Sequence, residues 1–421
     1  MSAAACSGPE RIGTEPDDTQ RGRGPLSSIR VADFSHIAAG PYSTLQLAYF
    51  GADVIKVESS RHLDGWRTRD GNADKEESRP FADHNKNKRS VSIDLKHPDG
   101  VRLAKRLVSV CDVVVENFSL GVMERLGLGY DVLRKVRPGL VMMSLQGLGR
   151  SGPRRDWVTW GPSLMPLCGL TYLWNHPDAP EPTGSQTSYP DYVVALHAAT
   201  VVLAALRRRD RTGDGCHLEL AQSEVTATMI GEAFVDAYLT GRDPVPHGNG
   251  HPQWAPHGCY PCAGEDRWCV IAVMDDTQWR SLADLIGRGD LREDSGLGSA
   301  EGRRRRAAEL DGVIGEWTRA RTPREVMELC QGHGIAAGVV ANGEDVVADP
   351  NLSSRGFLVD TDHPRQPGLL LPSVAVHLSA TPGGVHHPAP LLGEHTREVL
   401  AEVCHLDDAD IESLDCAEVL R

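Results

Sequence analysis

Hydrophobic and polar positions along the first half of the chain switch repeatedly between two periods. "IRVADF" (29–34), "DVIKVE" (53–58), "SVSIDL" (90–95), "DVVVEN" (112–117) and "LVMMSL" (140–145) are short apolar runs rich in β-branched residues. Runs of that length and composition predict strands. Between them "PYSTLQLAYFG" (41–51), "PDGVRLAKRLVSV" (98–110), "LGVMERLG" (120–127) and "YDVLRKV" (130–136) carry helical spacing, the first opened by Pro41 and closed by Gly51. Strands alternating with helices predict an α/β fold with a mainly parallel, Rossmann-like sheet.

The pattern then lengthens. "SYPDYVVALHAATVVLAAL" (188–206) is a long apolar helix with Pro190 and Asp191 as its start signal. An acid in the first turn complements the helix dipole and accepts backbone N–H bonds, so a capping role for Asp191 is sound on its own. A charged turn, "RRRDRTGDG", precedes a strand and helix in "CHLELAQSEVTATMIGEAFVDAYL". "PHGNGHPQWAPHGCYP" (246–261) is dense in Gly and Pro and marks a boundary, with a strand, "RWCVIAVM", and a helix, "DTQWRSLADLIG", beyond it.

Parallel sheets bind ligands beyond the carboxyl ends of their strands. The residues expected there are Asp33, His36, Glu58 to Arg61, Lys96, Glu116 to Phe118, Gln146 and Gly147. No GxGxxG follows the first strand and no GxxxxGK[ST] occurs, so neither a nicotinamide cofactor nor ATP is indicated.

Composition narrows the choice of partner. The chain has 421 residues, 40% hydrophobic and 24% charged, enough for two domains, and a net charge of -14. An acidic surface argues against nucleic acid and anionic membrane, and any phosphate site must be local. No basic-then-apolar leader or apolar run of about 20 residues stands out, so cytoplasmic residence is expected. Ten irregularly spaced cysteines suggest reduced thiols. "CYPC" (259–262) lacks a second pair, so no metal is expected. The arginine run 303–306 reads as a solvated helix face.

Several stretches together resemble the class III coenzyme A transferases, the group of formyl-CoA and carnitine CoA-transferases, to which the α-methylacyl-CoA racemases are related. They are "VADFSHIAAGP", "FGADVIKVE", "NKRSVSIDLK", "DVVVENF…GVMERLGLGYDVLRKVRPGLVMMSLQGLGRSGP", "GNGHPQWAPHGCYP", "DPNLSSRGF" and "LLGEHTREVL", in family order from about Leu26 to Cys404. The resemblance implies that Asp191 is a nucleophile forming an aspartyl anhydride and then an aspartyl-CoA thioester, one hard step divided into several easier ones. It implies CoA contacts at Arg61, Ile93, Lys96, Asn117, Phe118 and Arg125. His36, Gln146 and Trp160 would lie near the substrate, and Gly248, Asn249 and Gly250 would form a flexible loop over the aspartate. Many members carry Gln at the place of Ala38. Here backbone N–H groups or Gln146 would have to stabilise the oxyanion.

The same resemblance, with the boundary compositions, implies a disordered tail at 1–25 and a large CoA-binding domain at 26–224. A smaller α/β domain at 225–330 comes next, then a return to the large domain at 331–421, in an interlocked homodimer. No permanently bound cofactor is expected; CoA would be a cosubstrate, and the partners would be an acyl-CoA and a carboxylic acid. A racemase or epimerase, a lyase, a dehydratase and a non-catalytic CoA-binding protein are the alternatives. The racemase histidine position falls on Trp160, whose indole cannot exchange a proton at neutral pH. Trp157 and Trp160 suggest a bulky pocket wall.

Overall fold

The computed structural model describes residues 24–69 and 74–421, so all but the last two positions of the expected tail lie outside the described residues. The chain forms two compact units. The first holds the described residues up to 170 together with 185–232 and 351–421; the second holds 171–184 and 233–350.

The first unit is built on six parallel strands: β1 (Arg30–Asp33), β2 (Asp53–Glu58), β3 (Lys88–Ser92), β4 (Val113–Glu116), β5 (Val141–Gln146) and β6 (Cys216–Ala221). Their order is β3-β2-β1-β4-β5-β6, the doubly wound order that reverses between β1 and β4. Val31 sits in register with Val54 on one side and Val113 on the other.

The strands β1, β2, β4 and β5 read as largely apolar runs because both of their faces are covered. Successive side chains point to opposite faces. Val31, Val54, Val113 and Val141 therefore join one core, while Ala32, Ile55, Val114 and Met142 join the other. The first core is closed by Leu47 and Ala48 of the helix Ala39–Tyr49 and by Val194, Ala198 and Val202 of the helix Tyr189–Thr212. The second takes Leu103 and Leu107 of the helix Pro98–Ser109, then Leu400 and Val403 from the returning chain. Each of these valine and leucine side chains contributes about 1.5–3 kcal/mol on burial, and each alanine methyl about 0.8 kcal/mol.

The helix Tyr189–Thr212 is long and apolar enough to cross a membrane by length and composition alone, contrary to the expectation that no such stretch exists. Its buried stripe packs on the sheet, as a core helix does.

The second unit carries an antiparallel sheet of β7 (His257–Pro261), β8 (Trp268–Ala272) and β9 (Ala336–Val339) in the order β7-β8-β9. The sheet shares a core with Trp279, Leu282, Leu310, Ile314 and Val326 from the covering helices. Because β9 pairs with β8, the unit extends to residue 350 instead of closing at 330, and it also takes up 171–184. Cys259 lies on β7 and Cys262 just beyond it, buried in this core.

The arginine run is not a uniform solvated face. Arg303 is fully buried, its guanidinium donating to the carbonyls of Ala255 (2.7 Å) and Leu297 (2.9 Å) and pairing with Asp276 at 2.9 Å. Buried donors need such acceptors, and helical periodicity turns one residue of the run inward.

Candidate active site at the switch point

The loops after β1 and β4 meet where the strand order reverses. The His36 amide donates to Asn117 Oδ1 (2.8 Å), and Asn117 Nδ2 donates back to the His36 carbonyl (2.7 Å). This reciprocal pair floors a cavity of about 640 Å³ within the first unit. Seven of the expected site residues line it: His36, Ala38, Asn117, Phe118, Gln146, Trp160 and Asp191. Trp157 is on the wall as well, more than half exposed, as is Trp160.

Asp191 stands in the first turn of the helix Tyr189–Thr212, two residues inside its start, with Pro190 before it. Its carboxylate lies against Gly161, where an added Cβ would collide with Asp191 Oδ2 and the Ser188 hydroxyl. A side chain at 161 could be accommodated only if the Asp191 carboxylate and the Ser188 hydroxyl moved aside. Beside the aspartate, the Tyr192 ring packs edge-on against Tyr42 at 5.0 Å and lies 5.8 Å from His84.

A buried ion network lies behind the β1 loop. Lys88 Nζ meets Asp33 Oδ2 at 3.0 Å and Lys56 Nζ meets Asp64 Oδ2 at 2.9 Å, with all four side chains at zero exposure. Burial alone would raise the Asp33 carboxyl; Lys88, Lys56 and the hydroxyls of Ser35 and Thr44 more than offset it and hold it at about 2. His36 is held down to about 4, by burial first and then by Lys56, so its imidazole is neutral at pH 7.

Glu116 ends β4 fully buried, and desolvation raises its pKa. It accepts from the Phe118 amide (2.9 Å) and from Gln146 Nε2 (2.9 Å). Gln146, only 6% exposed, is left with an Oε1 that has no hydrogen-bond partner. A buried acceptor on a cavity wall calls for a donor from whatever fills the cavity.

The expected phosphate contacts stand outside this cavity. Arg61 is about half exposed and pairs with Asp94 (2.8 Å) and Glu418 (2.6 Å), while Lys96 and Arg125 are exposed. All three lie beyond the carboxyl ends of β2, β3 and β4. Ile93 is 1% exposed with its side chain in the core, which leaves only its backbone for a ligand, and its amide already donates to the Glu58 carbonyl at 2.7 Å. Gly248, Asn249 and Gly250 belong to the second unit, where Gly248 has φ of +57° and lies against His176.

Sequence reasoning missed Gly161, Ser188, Tyr192 and Trp66 on the wall and Asp64 and Lys56 behind it. Gly161 stands next to Trp160 and Tyr192 next to Asp191, so adjacency was a usable signal there. Nothing in the sequence marked Asp64, because pairing with Lys56 is a tertiary fact.

A doubly wound sheet with a cavity at its switch point, and a carboxylate on the cavity wall, has its candidate site where α/β proteins of this strand order bind their ligands, beyond β1 and β4. Residues 26–396 match the model of CoA-transferase family III, and the chain belongs to that family. It is 33% identical over 402 residues to the "Succinyl-CoA--D-citramalate CoA-transferase" of Chloroflexus aurantiacus, covering 96% of this chain and 100% of that protein. It is 32% identical over 411 residues to "Probable CoA-transferase Rv1866" of Mycobacterium tuberculosis, covering 95% of this chain but 51% of that protein, so it spans about half that relative's length. Its fold is similar to that of a CaiB/BaiF family protein from Brucella suis, with a TM-score of 0.83 and 29% identity over 90% of this chain and 100% of that one. Proteins of this family use CoA as a cosubstrate.

Proposed function

We propose that the enzyme moves CoA between an acyl-CoA and a free carboxylic acid through covalent intermediates on Asp191. The observation that carries this reading is the carboxylate at a helix N-terminus inside the switch-point cavity, pressed against Gly161. Asp191 attacks the donor thioester carbonyl, forming a mixed anhydride and releasing CoA thiolate. The thiolate attacks the aspartyl carbonyl of the anhydride, which frees the donor acid and leaves an aspartyl-CoA thioester. The acceptor carboxylate then displaces the thiolate to form a second anhydride. Thiolate attack on its acyl carbon gives the new acyl-CoA and restores the aspartate.

The helix N-terminus favours the carboxylate form of this nucleophile in an apolar setting. Lys96 and Arg125, exposed beyond the strand ends, offer local positive charge that CoA phosphates need on an acidic protein, and Arg61 could join them by exchanging its pairs with Asp94 and Glu418 for a phosphate. Trp160 on the cavity wall weighs against α-proton exchange, because an indole N–H only donates. A homodimer belongs to the same reading, supported by exposed Leu196 and Leu203 on the outer face of the helix Tyr189–Thr212.

The test is Asp191→Asn. The amide keeps an oxygen for backbone N–H groups, so unfolding should change by no more than about 1 kcal/mol. Transfer, assayed with panels of acyl-CoA donors and acids, should fall by at least about 10³-fold. A folded variant that turns over at the normal rate would sink the proposal.

A further inference from the structure

The loop between β1 and the helix Ala39–Tyr49 holds Ile37 at φ of +70°. A β-branched residue there is a genuine outlier that persists only where its surroundings impose it. They do so group by group. The Ser35 carbonyl accepts from Lys56 Nζ (2.7 Å), both polar backbone groups of His36 are bound to Asn117, and the Ile37 amide donates to Asp64 Oδ1 at 3.0 Å. Asp64 is itself fixed: the same oxygen accepts from the Trp66 amide (2.9 Å) and the other pairs with Lys56 (2.9 Å), at zero exposure.

This turn leads directly into an 11-residue helix, whose first-turn amides have no intrahelical acceptor. Ile37, Ala38 and Ala39 form cavity wall, and neither alanine supplies a side-chain donor. Gln146, more than nine-tenths buried on the same cavity, adds an unpartnered acceptor that independently points to a ligand with amide donors, such as the pantetheine arm of CoA.

We propose that Asp64 is a positioning residue: by accepting the Ile37 amide it holds the left-handed turn that presents the Ala38 and Ala39 N–H groups to the cavity, where they stabilise the oxyanion formed on attack at the acyl carbonyl. This role rests on the transfer chemistry proposed above. Donors fixed before the reaction act on the transition state more than on bound substrate, so their loss is read in kcat.

The experiment is steady-state transfer by the full chain, with folding followed by circular dichroism. Asp64→Ala should lower kcat by about 30- to 100-fold with the acyl-CoA KM within about 3-fold. Asp64→Asn keeps an acceptor for the Ile37 amide and should retain at least about 5-fold more kcat than Asp64→Ala. Adding Ile37→Gly to Asp64→Ala should recover at least about 10-fold, since glycine enters positive φ without a clamp. Ile37→Pro deletes the N–H and forbids positive φ while sparing the Asp64–Lys56 pair, so it should reproduce the Asp64→Ala loss even if that variant folds poorly. A folded Asp64→Ala or Ile37→Pro with wild-type kcat, or a folded double variant with no recovery, overturns the proposal. Covalent trapping at Asp191 in the unmodified enzyme tests the transfer chemistry separately.

Discussion

Asp191 could be singled out in the sequence because an acid after proline at the head of an apolar helix has an identifiable local role, and the family motifs then gave it a chemical one. Asn117 and Gln146 were legible for a related reason: both stand at strand ends, where a parallel sheet puts its ligand. Ile93 shows the limit: just past the end of β3, its side chain is packed in the core beside Val91. Asp64 and Lys56 carried no signal, because two charges become a site component only when folding buries them together.

His36 yields a prediction at this scale. The unfolded imidazole protonates near 6.5, whereas burial and Lys56 hold the folded one at about 4. Between those values the unfolded state binds more protons, so stability falls as the pH falls and the loss is complete near pH 4. Its size is about 2 kcal/mol after allowing for partial exposure. Urea unfolding of His36→Gln should therefore decline less steeply from pH 7 to pH 4 by about that amount. Superimposable pH profiles for the two proteins would show that His36 does not carry this linkage.

Among the elements, β1, β2, β4 and β5 were visible as apolar runs, since strands buried on both faces need no polar alternation, whereas β3 begins on Lys88 and Arg89 and β6 alternates polar residues on a partly exposed edge. The edges of the second unit were not visible. β9 pairs with β8 across a gap of some 65 residues, a long-range pairing to which local composition is blind. The helix Tyr189–Thr212 was legible as apolar but not as two-faced: Val194, Ala198 and Val202 are buried, while Leu196 and Leu203, seven apart, are 51% and 41% exposed. If that outer stripe pairs with a second copy, Leu196→Glu with Leu203→Glu should shift the species seen by light scattering at micromolar concentration from dimer to monomer, because two buried charges oppose association. An unmodified chain that is already monomeric there would refute the homodimer.

For the molecule as a whole, charge and site chemistry are separated in space. A net charge of -14 coexists with a line of exposed Arg61, Lys96 and Arg125 beyond the strand ends. The Asp191 carboxylate, the proposed nucleophile, lines a cavity with tryptophans on its wall, and none of the three cations lines it. That division suits a substrate with a charged nucleotide end and a thioester end that must meet Asp191. The central claim is that a covalent bond forms there, and the most direct measurement is mass analysis after incubation with an acyl-CoA and hydroxylamine. The expected product is a hydroxamate confined to the peptide containing Ser188 to Tyr192 and absent from Asp191→Asn. An enzyme that transfers CoA at full rate yet leaves that peptide unmodified, or carries the hydroxamate on another carboxylate, would contradict it.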